Sequence, residues 1–242
     1  MIKRIIKRVF SILSILPFIN REDPLSYIFS KQKRRHTDVI RYLKSINLKK
    51  SSSIIDIGCG NAEIIKRLKD EGYSSVDGVD WLDYDQIENL SFIDNYFKMD
   101  LNSSKLFKQI NKEYDCIISS DVLEHLENPS ETIKQISKLS KTTSDIIITI
   151  PNAFNIYERL FILFTGNSNR YRVEKKNEFG HITIFTRNTM KSICNRADIY
   201  VKKILGSGIF FFGLVFFPNK KFPHTLISFN LIYHLKKNDL QK

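Results

Sequence analysis

The stretch that decides the fold is IIDIGCGNAEI, residues Ile54–Ile64. An apolar run ends near Asp56 and is followed by Gly58, Gly60 and the small Ala62. In a doubly wound α/β sheet, a turn of this kind after the first strand lets a ligand approach bare backbone at the carboxyl end of the strand. The stretch therefore predicts a buried strand, a ligand-binding turn and a helix, in that order.

The charges around this turn restrict the ligand. The dinucleotide fingerprint requires a third glycine where this chain has Glu63, and the phosphate-binding pattern GxxxxGK[ST] does not occur in the sequence. With Asp56 and Glu63 on either side, the turn favours a ligand that carries positive charge, such as an amino-acid moiety and a sulfonium. Glu63 has a second explanation, because an acid in the first turn of a helix stabilises the helix dipole.

Outward from this stretch, apolar runs alternate with amphipathic ones. The predicted strands are SSIIDIG, SVDGVD, FIDNYFKMD, YDCIISS, SDIIITIP and IYVKKILG, with HTLISFNLIYHLKK as an antiparallel last strand at or near an edge. The predicted helices are SYIFSKQKRRHTDVIRYLKSI, NAEIIKRLKDEG, DYDQIENL, NPSETIKQISKLSK and TRNTMKSICNRA. This alternation predicts an α/β fold: a doubly wound, Rossmann-like, mostly parallel seven-stranded sheet with helices on both faces.

Composition limits the class of protein. The chain has 242 residues, 42% of them hydrophobic, and no apolar run reaches the roughly 18 to 20 residues of a membrane-spanning helix. Three cysteines without CxxC spacing argue against a disulfide framework and against a zinc site, which favours a reducing cytosol. Lys and Arg outnumber Asp and Glu by 38 to 26, for a formal charge of +12. This surplus suits an anionic partner, or equally a solvated lysine-rich surface.

Two further segments stand out, one for its basic amphipathic pattern and one for its run of apolar residues. In MIKRIIKRVFSILSILPFIN, apolar residues recur at helical spacing between lysines and arginines, as in an amphipathic helix on an anionic membrane. A terminal helix that packs on the domain is the alternative, and an Ala-x-Ala-like cleavage site is missing. GIFFFGLVFFP, Gly208–Pro218, predicts a buried strand or an apolar lip near an acceptor site.

Four motifs in order resemble those of the class I S-adenosylmethionine-dependent methyltransferases. These are DIGCGNA, VDGVD, KMDL and YDCIISSDVLEHLENP, and the last is similar to the subgroup of ubiquinone-biosynthesis and other small-molecule O-methyltransferases. The resemblance implies that Asp80 binds the ribose hydroxyls and that Asp100 meets the adenine amino group. The cofactor-binding residues that it implies are Asp56, Gly58, Cys59, Gly60, Asp80, Trp81, Met99, Asp100, Leu101, Ser119 and Asp121.

On this basis we divide the chain into two parts. Residues 1–22 form a basic amphipathic N-terminal segment, and residues 23–242 form a methyltransferase domain with an acceptor-side insertion at about residues 151–185. An insertion of this length within a compact domain is usually functional.

Most of the single residues also have a structural explanation. Asp80 and Asp100 could be strand-end caps, and Asp121 and Glu124 could bond the local backbone of a turn. His125 could hold its loop in place. These alternatives stay open on the sequence.

Methyl transfer from a sulfonium is an in-line displacement, to which a protein contributes mainly alignment and exclusion of water. A hydroxyl acceptor also needs a base. The candidates are His181, in FGHITIF, and His125, and Asp121 is a third candidate catalytic residue; a core position is the alternative for His181. We expect no metal site, because the carboxylates near these motifs lack matched histidine spacing.

The acceptor is predicted only by class. DNA is disfavoured, because neither the Asn/Asp-Pro-Pro-aromatic segment nor a Pro-Cys occurs in the sequence. The N-terminal segment, Gly208–Pro218 and the aromatic residues of the insertion favour an amphipathic or membrane-held acceptor, such as a lipid-linked saccharide or a quinone-like lipid. Those aromatic residues are Tyr157, Phe161, Phe164 and Tyr171.

The alternatives are a soluble metabolite as acceptor and a non-catalytic S-adenosylmethionine- or lipid-binding module on the same fold. We expect a cytoplasmic protein, peripheral on the inner face of the membrane if residues 1–20 bind an anionic surface.

Overall fold

The computed structural model describes residues 31–103, 110–168, 180–211, 214–216 and 224–238. The predicted N-terminal segment and Tyr171 lie outside the described residues, as does part of Gly208–Pro218. Within the described part of the chain, no helix combines the length and the apolarity needed to cross a membrane.

Helices and strands alternate along most of the chain, as the sequence predicts. The helices are α1 (Lys31–Ser45), α2 (Glu63–Asp70), α3 (Pro129–Lys138), α4 (Ile156–Thr165) and α5 (Arg187–Asn195). The strands are β1 (Ser53–Ile57), β2 (Ser75–Asp80), β3 (Tyr96–Lys98), β4 (Tyr114–Ser120), β5 (Ser140–Pro151), β6 (Ile199–Phe211), β7 (Leu214–Phe216) and β8 (Ser228–Lys237).

All eight described strands form one sheet in the order β3-β2-β1-β4-β5-β8-β6-β7. The pairs among β1 to β5 are parallel, whereas β8 runs antiparallel to both β5 and β6. The predicted mostly parallel sheet with an antiparallel last strand is thereby confirmed. The predicted position of that last strand at or near an edge is wrong, because β8 pairs with both β5 and β6 in the interior of the sheet. The sheet has eight described strands instead of seven, since β7 is a three-residue partner of the end of β6.

Three segments differ from the sequence predictions. DYDQIENL, residues 83–90, does not form the predicted helix, because it offers only Ile87 as a buried apolar residue. Two short 3-10 turns, Tyr84–Gln86 and Leu90–Phe92, lie within it and at its end. FIDNYFKMD contributes only the three residues of β3. The helix predicted over residues 128–141 ends at Lys138, since β5 begins at Ser140 and is twelve residues long.

The start of α3 is capped by a side chain that is typical of helix N-termini. The side chain of Asn128 accepts a hydrogen bond from the backbone N–H of Glu131, and Pro129 occupies the first turn, where its missing N–H costs no helical hydrogen bond. The cap therefore fixes where the chain leaves the loop after β4, which carries the candidate site residues Asp121 and His125.

Apolar cores fill both faces of the sheet. Side chains alternate along each strand, so Ile54 of β1 packs on the face covered by α1 and α2, and Ile55 packs on the face covered by α3 and α5. The helices thus lie on both faces, as predicted for a doubly wound sheet.

Buried polar contacts fix α1 against the sheet. The hydroxyl of Tyr42 lies 2.8 Å from Nδ1 of His234, whose Nε2 lies 2.7 Å from a carboxylate oxygen of Asp145. Ser207 donates a hydrogen bond of 2.7 Å to Asp38, also on α1. These contacts join α1 to β5, β6 and β8 at positions where an unpaired polar group would be costly.

The order in which the chain adds strands to the sheet reverses between β1 and β4. From β1 it proceeds to β2 and β3 and then returns to β4 on the opposite side of β1. The turns that follow β1 and β4 therefore meet at this switch point, where ligands bind in doubly wound sheets.

Gly58 makes that meeting possible. Its φ is +77°, and a Cβ added to it would lie 2.3 Å from Cγ2 of Val122, in the turn after β4. The backbone N–H groups of Gly58 and Cys59 both donate to the carbonyl of Val79 in β2, at 2.8 and 3.0 Å. The two turns can pack this closely only because residue 58 has no side chain.

We predict that Gly58→Ala destabilises the protein by about 2 to 5 kcal/mol, the sum of a left-handed backbone cost and an overpacking cost. Gly72→Ala is the matched control, since Gly72 also has a positive φ, of +88°, but open space around its Cβ position. Denaturant unfolding should show a loss of about 1 to 2 kcal/mol for that control. Equal losses in the two variants would contradict the close packing of the two turns.

Candidate functional site

A cavity of about 820 Å³ opens at the carboxyl ends of β1 to β4. Its wall contains residues from each of the turns that follow these strands. They are Gly58, Asp80, Trp81, Asp83, Lys98, Met99, Asp100, Leu101, Asn102, Asp121, Val122, His125 and Leu126. Seven predicted cofactor-binding residues therefore line one cavity, namely Gly58, Asp80, Trp81, Met99, Asp100, Leu101 and Asp121.

Asp80, at the end of β2, is held in a fixed orientation. One carboxylate oxygen accepts a hydrogen bond of 2.7 Å from the N–H of Gly60, and the other accepts from the N–H groups of Trp81 and Leu82 at 2.8 and 3.3 Å. Asp80 is thus both a strand-end cap and a wall of the cavity. A carboxylate fixed in this way can accept further hydrogen bonds from a pair of hydroxyl groups.

Asp56 and Ser119 lie buried behind the turn, beneath the cavity wall. Among the described residues, neither Oδ1 of Asp56 nor Oγ of Ser119 has a hydrogen-bond partner. Burial, reinforced by the nearby charge of Asp80, raises the pKa of Asp56 to about 8. A buried acid without a counterion next to a second acid suits a ligand that brings positive charge.

The other two turn residues predicted from the sequence support the wall from behind. Cys59 is buried, and its Sγ would lie 3.0 Å from a Cβ added to Gly78 in β2. Burial and the charges of Asp56 and Asp80 raise the pKa of the Cys59 thiol. Gly60 contributes its N–H to Asp80. Both residues position the cavity wall without forming part of its lining.

The turn after β3 forms the opposite wall. Asp100 is exposed and accepts a hydrogen bond of 2.9 Å from the N–H of Asn102, whereas Met99 is buried and presents an apolar surface beside it. Trp81 is 54% exposed on the same cavity. An exposed acid between apolar side chains can bind the amino edge of a flat aromatic base.

Asp121 is tied to strands that are distant in sequence. It has a φ of +56°, and its Oδ1 accepts hydrogen bonds from Oγ1 of Thr149 at 3.2 Å and from Nδ2 of Asn230 at 3.0 Å. The alternative of a purely local turn residue therefore does not fit Asp121. Its side chain links the cavity to β5 and β8.

Two histidines and a buried glutamate meet beside the cavity. The ring centroids of His125 and His181 are 4.8 Å apart in an edge-to-face arrangement with an interplanar angle of 64°. Nε2 of His181 lies 4.0 Å from Oε1 of the fully buried Glu124. Hydrogen bonds from the N–H groups of Ile182 and Thr183 to the carbonyl of Glu124, at 2.9 and 3.0 Å, hold the two segments together. The structure thereby brings together both histidines that the sequence suggested as bases.

The same three residues could also hold a metal ion. One ligating atom from each of Glu124, His125 and His181 lies within 4.8 Å of the others, and carboxylate and imidazole groups are ordinary ligands of divalent transition metals. Sequence spacing could not indicate this group, because His181 is separated from the other two by more than fifty positions.

Several cavity residues escaped the sequence analysis. Asp83 and Lys98 form an ion pair across the rim, and Val122 and Leu126 line the cavity beside His125. Val122 and Leu126 lie within the quoted segment YDCIISSDVLEHLENP, so their place in the motif was a usable signal. The sequence contains no such signal for Asp83 and Lys98, because their pairing depends on how the turns after β2 and β3 meet.

Comparison with known proteins identifies the family. The family model described as a methyltransferase domain matches residues 29–203. The mitochondrial ubiquinone biosynthesis O-methyltransferase of Arabidopsis thaliana is 26% identical over 162 residues, which are 63% of this chain and 48% of that protein. The chain spans about half the length of the curated relatives that it matches.

Two solved structures share the fold over nearly the whole chain. An S-adenosylmethionine-dependent methyltransferase from Clostridium acetobutylicum ATCC 824 aligns with a TM-score of 0.59 at 14% identity, over 96% of this chain and 98% of that chain. Magnesium protoporphyrin IX methyltransferase from Synechocystis PCC 6803, with bound SAH, aligns with a TM-score of 0.57 at 14% identity, over 96% and 95%. The motifs, the fold and the family match agree, and the chain belongs to the class I S-adenosylmethionine-dependent methyltransferases.

Proposed function

We propose that this protein transfers a methyl group from S-adenosylmethionine to a hydroxyl oxygen of a small or lipid-linked acceptor. The observation that carries the proposal is the placement of His125 on the wall of the cavity that the four motif turns form, with the ring of His181 4.8 Å away from it. A cofactor cavity and a proton acceptor therefore lie side by side. Methylation of an oxygen requires both.

S-adenosylmethionine is the cofactor of this family, and the cavity fits it chemically. Asp80 is oriented to accept hydrogen bonds from two ribose hydroxyls, and Asp100 with Met99 and Leu101 forms a site for adenine. Asp56 lies buried behind the glycine turn with an unpartnered oxygen, and a positively charged group of the ligand at that turn would offset the charge of the buried acids. When bound, the cofactor supplies an electrophilic methyl group on a sulfonium with a good leaving group.

His181 is the proposed base in the transfer. An imidazole nitrogen of His181 would accept the hydroxyl proton as the acceptor oxygen bonds to the methyl carbon and the carbon–sulfur bond breaks. The buried carboxylate of Glu124, 4.0 Å from Nε2 of His181, would stabilise the imidazolium that results. His125 and Asp121 line the cavity and would position the acceptor there, while His181 lies next to His125.

The acceptor class rests on the surface beside the site. Helix α4, within the predicted insertion, exposes Leu160, Leu163 and Phe164, and a soluble protein rarely exposes such a contiguous apolar surface without a partner. The curated relative from Arabidopsis thaliana is a ubiquinone biosynthesis O-methyltransferase, which favours oxygen as the methylated atom. A lipid-linked saccharide or a quinone-like lipid remains our proposal for the acceptor.

The location of the protein follows as part of the same proposal. A basic amphipathic segment at residues 1–20 would hold a cytoplasmic enzyme on the inner face of an anionic membrane. Nucleic acid is not expected as a partner.

We predict that Asp80→Ala weakens the binding of S-adenosylmethionine at least about a hundredfold, because two hydrogen bonds to a charged group are lost. Isothermal titration calorimetry measures the affinity, and Asp85→Ala, an exposed acid in the adjacent turn, is the charge-matched control. Thermal unfolding of each variant shows whether the fold survives. Unchanged affinity in a folded Asp80→Ala variant would rule out the ribose role.

The transfer itself can be tested with methyl-labelled S-adenosylmethionine and fractionated extract of the source cells. We expect label in lipid-extractable material with the wild-type protein, and a loss of at least a hundredfold with His181→Ala at unchanged affinity for the cofactor. A chelator added to the wild-type reaction separates a proton-transfer role of His181 from metal binding by the same cluster.

Three results would contradict parts of this proposal. Label in soluble metabolites would keep the methyl transfer but overturn the lipid acceptor. No label in any fraction, with the cofactor still bound, would favour a non-catalytic binding module. Full turnover of His181→Ala would make its role structural.

A further inference from the structure

A second cleft lies on the acceptor side of the molecule, apart from the cofactor cavity. It has a volume of about 480 Å³ and lies between the start of α4, the start of α5 and the segment before β8. Two arginines and a histidine line it together with amide, hydroxyl and apolar groups. The lining comprises Asn152, Phe154, Arg159, Phe185, Thr186, Arg187, Asn188, His224, Thr225, Leu226 and Leu231.

The charge of this cleft is positive and is not offset by acids in its lining. Nε of Arg159 donates a hydrogen bond of 2.8 Å to the carbonyl of Phe154, and Arg187 donates to the hydroxyl of Thr225. Within the described part of the chain, neither guanidinium forms an ion pair with a carboxylate. Each group retains donors in the planar arrangement that matches a phosphate.

Helix α4 joins this cleft to an apolar surface. The buried residue of this helix is Glu158, which accepts a hydrogen bond from Ser168. The apolar Leu163 and Phe164 are 73% and 81% exposed. This is the reverse of an ordinary surface helix, which buries its apolar face. Leu163 follows Arg159 by four residues, so the two side chains are neighbours along the helix surface.

The cleft is also connected to the catalytic side of the cofactor cavity. The segment that carries His181 continues through Phe185, which is buried and lines the cleft, to Arg187. On the other side, Asn152 donates hydrogen bonds of 2.7 and 3.0 Å to the carbonyls of Thr225 and Ser228. A ligand held in the cleft would thus lie against the same segments that carry the proposed base.

We infer that this cleft binds the phosphate group of an amphipathic acceptor lipid, with the hydrocarbon chain along Leu163 and Phe164. The inference depends on the proposed methyl transfer only in calling the bound lipid the acceptor. The binding of a phosphate by the cleft can be measured without turnover. It narrows the acceptor to lipids that carry a phosphate monoester, diester or diphosphate. The arginines bind the anion, and the exposed helix face supplies the apolar contact that a free anion would not need.

The test is isothermal titration calorimetry of the full chain with three probes: decyl phosphate below its micelle concentration, inorganic phosphate and decanol. We expect decyl phosphate to bind at least tenfold more tightly than either of the other two. The double variant Arg159→Gln and Arg187→Gln should weaken decyl phosphate at least tenfold. A second double variant, Leu163→Ser and Phe164→Ser, should weaken decyl phosphate but leave inorganic phosphate unchanged.

The matched control is Lys191→Gln with Arg196→Gln, which removes the same charge from exposed positions on or just after α5 that lie outside the cleft. This control should bind decyl phosphate like the wild type. S-adenosylmethionine affinity, measured on every variant, should stay unchanged, which separates a failure of the cleft from a failure of the cofactor site.

Three outcomes would overturn the inference. Equal binding of decyl phosphate by the arginine variant and the control would show that general surface charge is responsible. Equal affinity for inorganic phosphate and decyl phosphate would indicate a site for a free anion. A large loss of thermal stability in the Leu163 and Phe164 variant, without any lipid, would show that another part of the chain covers this helix face.

Discussion

The contact between Gly58 and Val122 is the constraint on which the site depends. It brings the turn after β1 against the turn after β4 at the switch point of the sheet, and a Cβ at residue 58 would lie 2.3 Å from Val122. With the two turns this close, Asp80 can bond the N–H of Gly60 on one side, and His125 can line the same cavity on the other. The packing of these two turns therefore brings Asp80 and His125 to the same cavity.

The second feature that organises the site is its excess of buried acid. Asp56 and Asp80 lie near each other, and burial with mutual repulsion keeps Asp56 protonated at neutral pH through its raised pKa of about 8. An acid pair in this condition destabilises the empty site when it ionises. A cationic ligand relieves the repulsion, so the charge of the site favours a sulfonium with an amino-acid moiety over a pyrophosphate.

Most of the fold and of the cofactor side could be predicted from sequence. The glycine turn, the acids after β2 and β3 and the capped start of α3 are local patterns, and each has a local physical cause. The position of β8 between β5 and β6 could not be predicted, because strand order depends on how distant strands pair. The same limit applies to the His125–His181 pair and to Asp121, whose partners Thr149 and Asn230 come from other strands. The cleft with Arg159 and Arg187 combines residues from three separate segments and has no signature in any one of them.

The role of the buried acids is tested most directly by counting the protons released when S-adenosylmethionine binds. Calorimetry at pH 7 in buffers of different ionisation enthalpy gives that number. Because Asp56 is protonated before binding and meets a positive charge afterwards, the wild-type protein should release close to one proton, and Asp56→Asn should release none. Binding without proton release in the wild type, or the same release in Asp56→Asn, would contradict the assignment of the cationic end of the ligand to this acid.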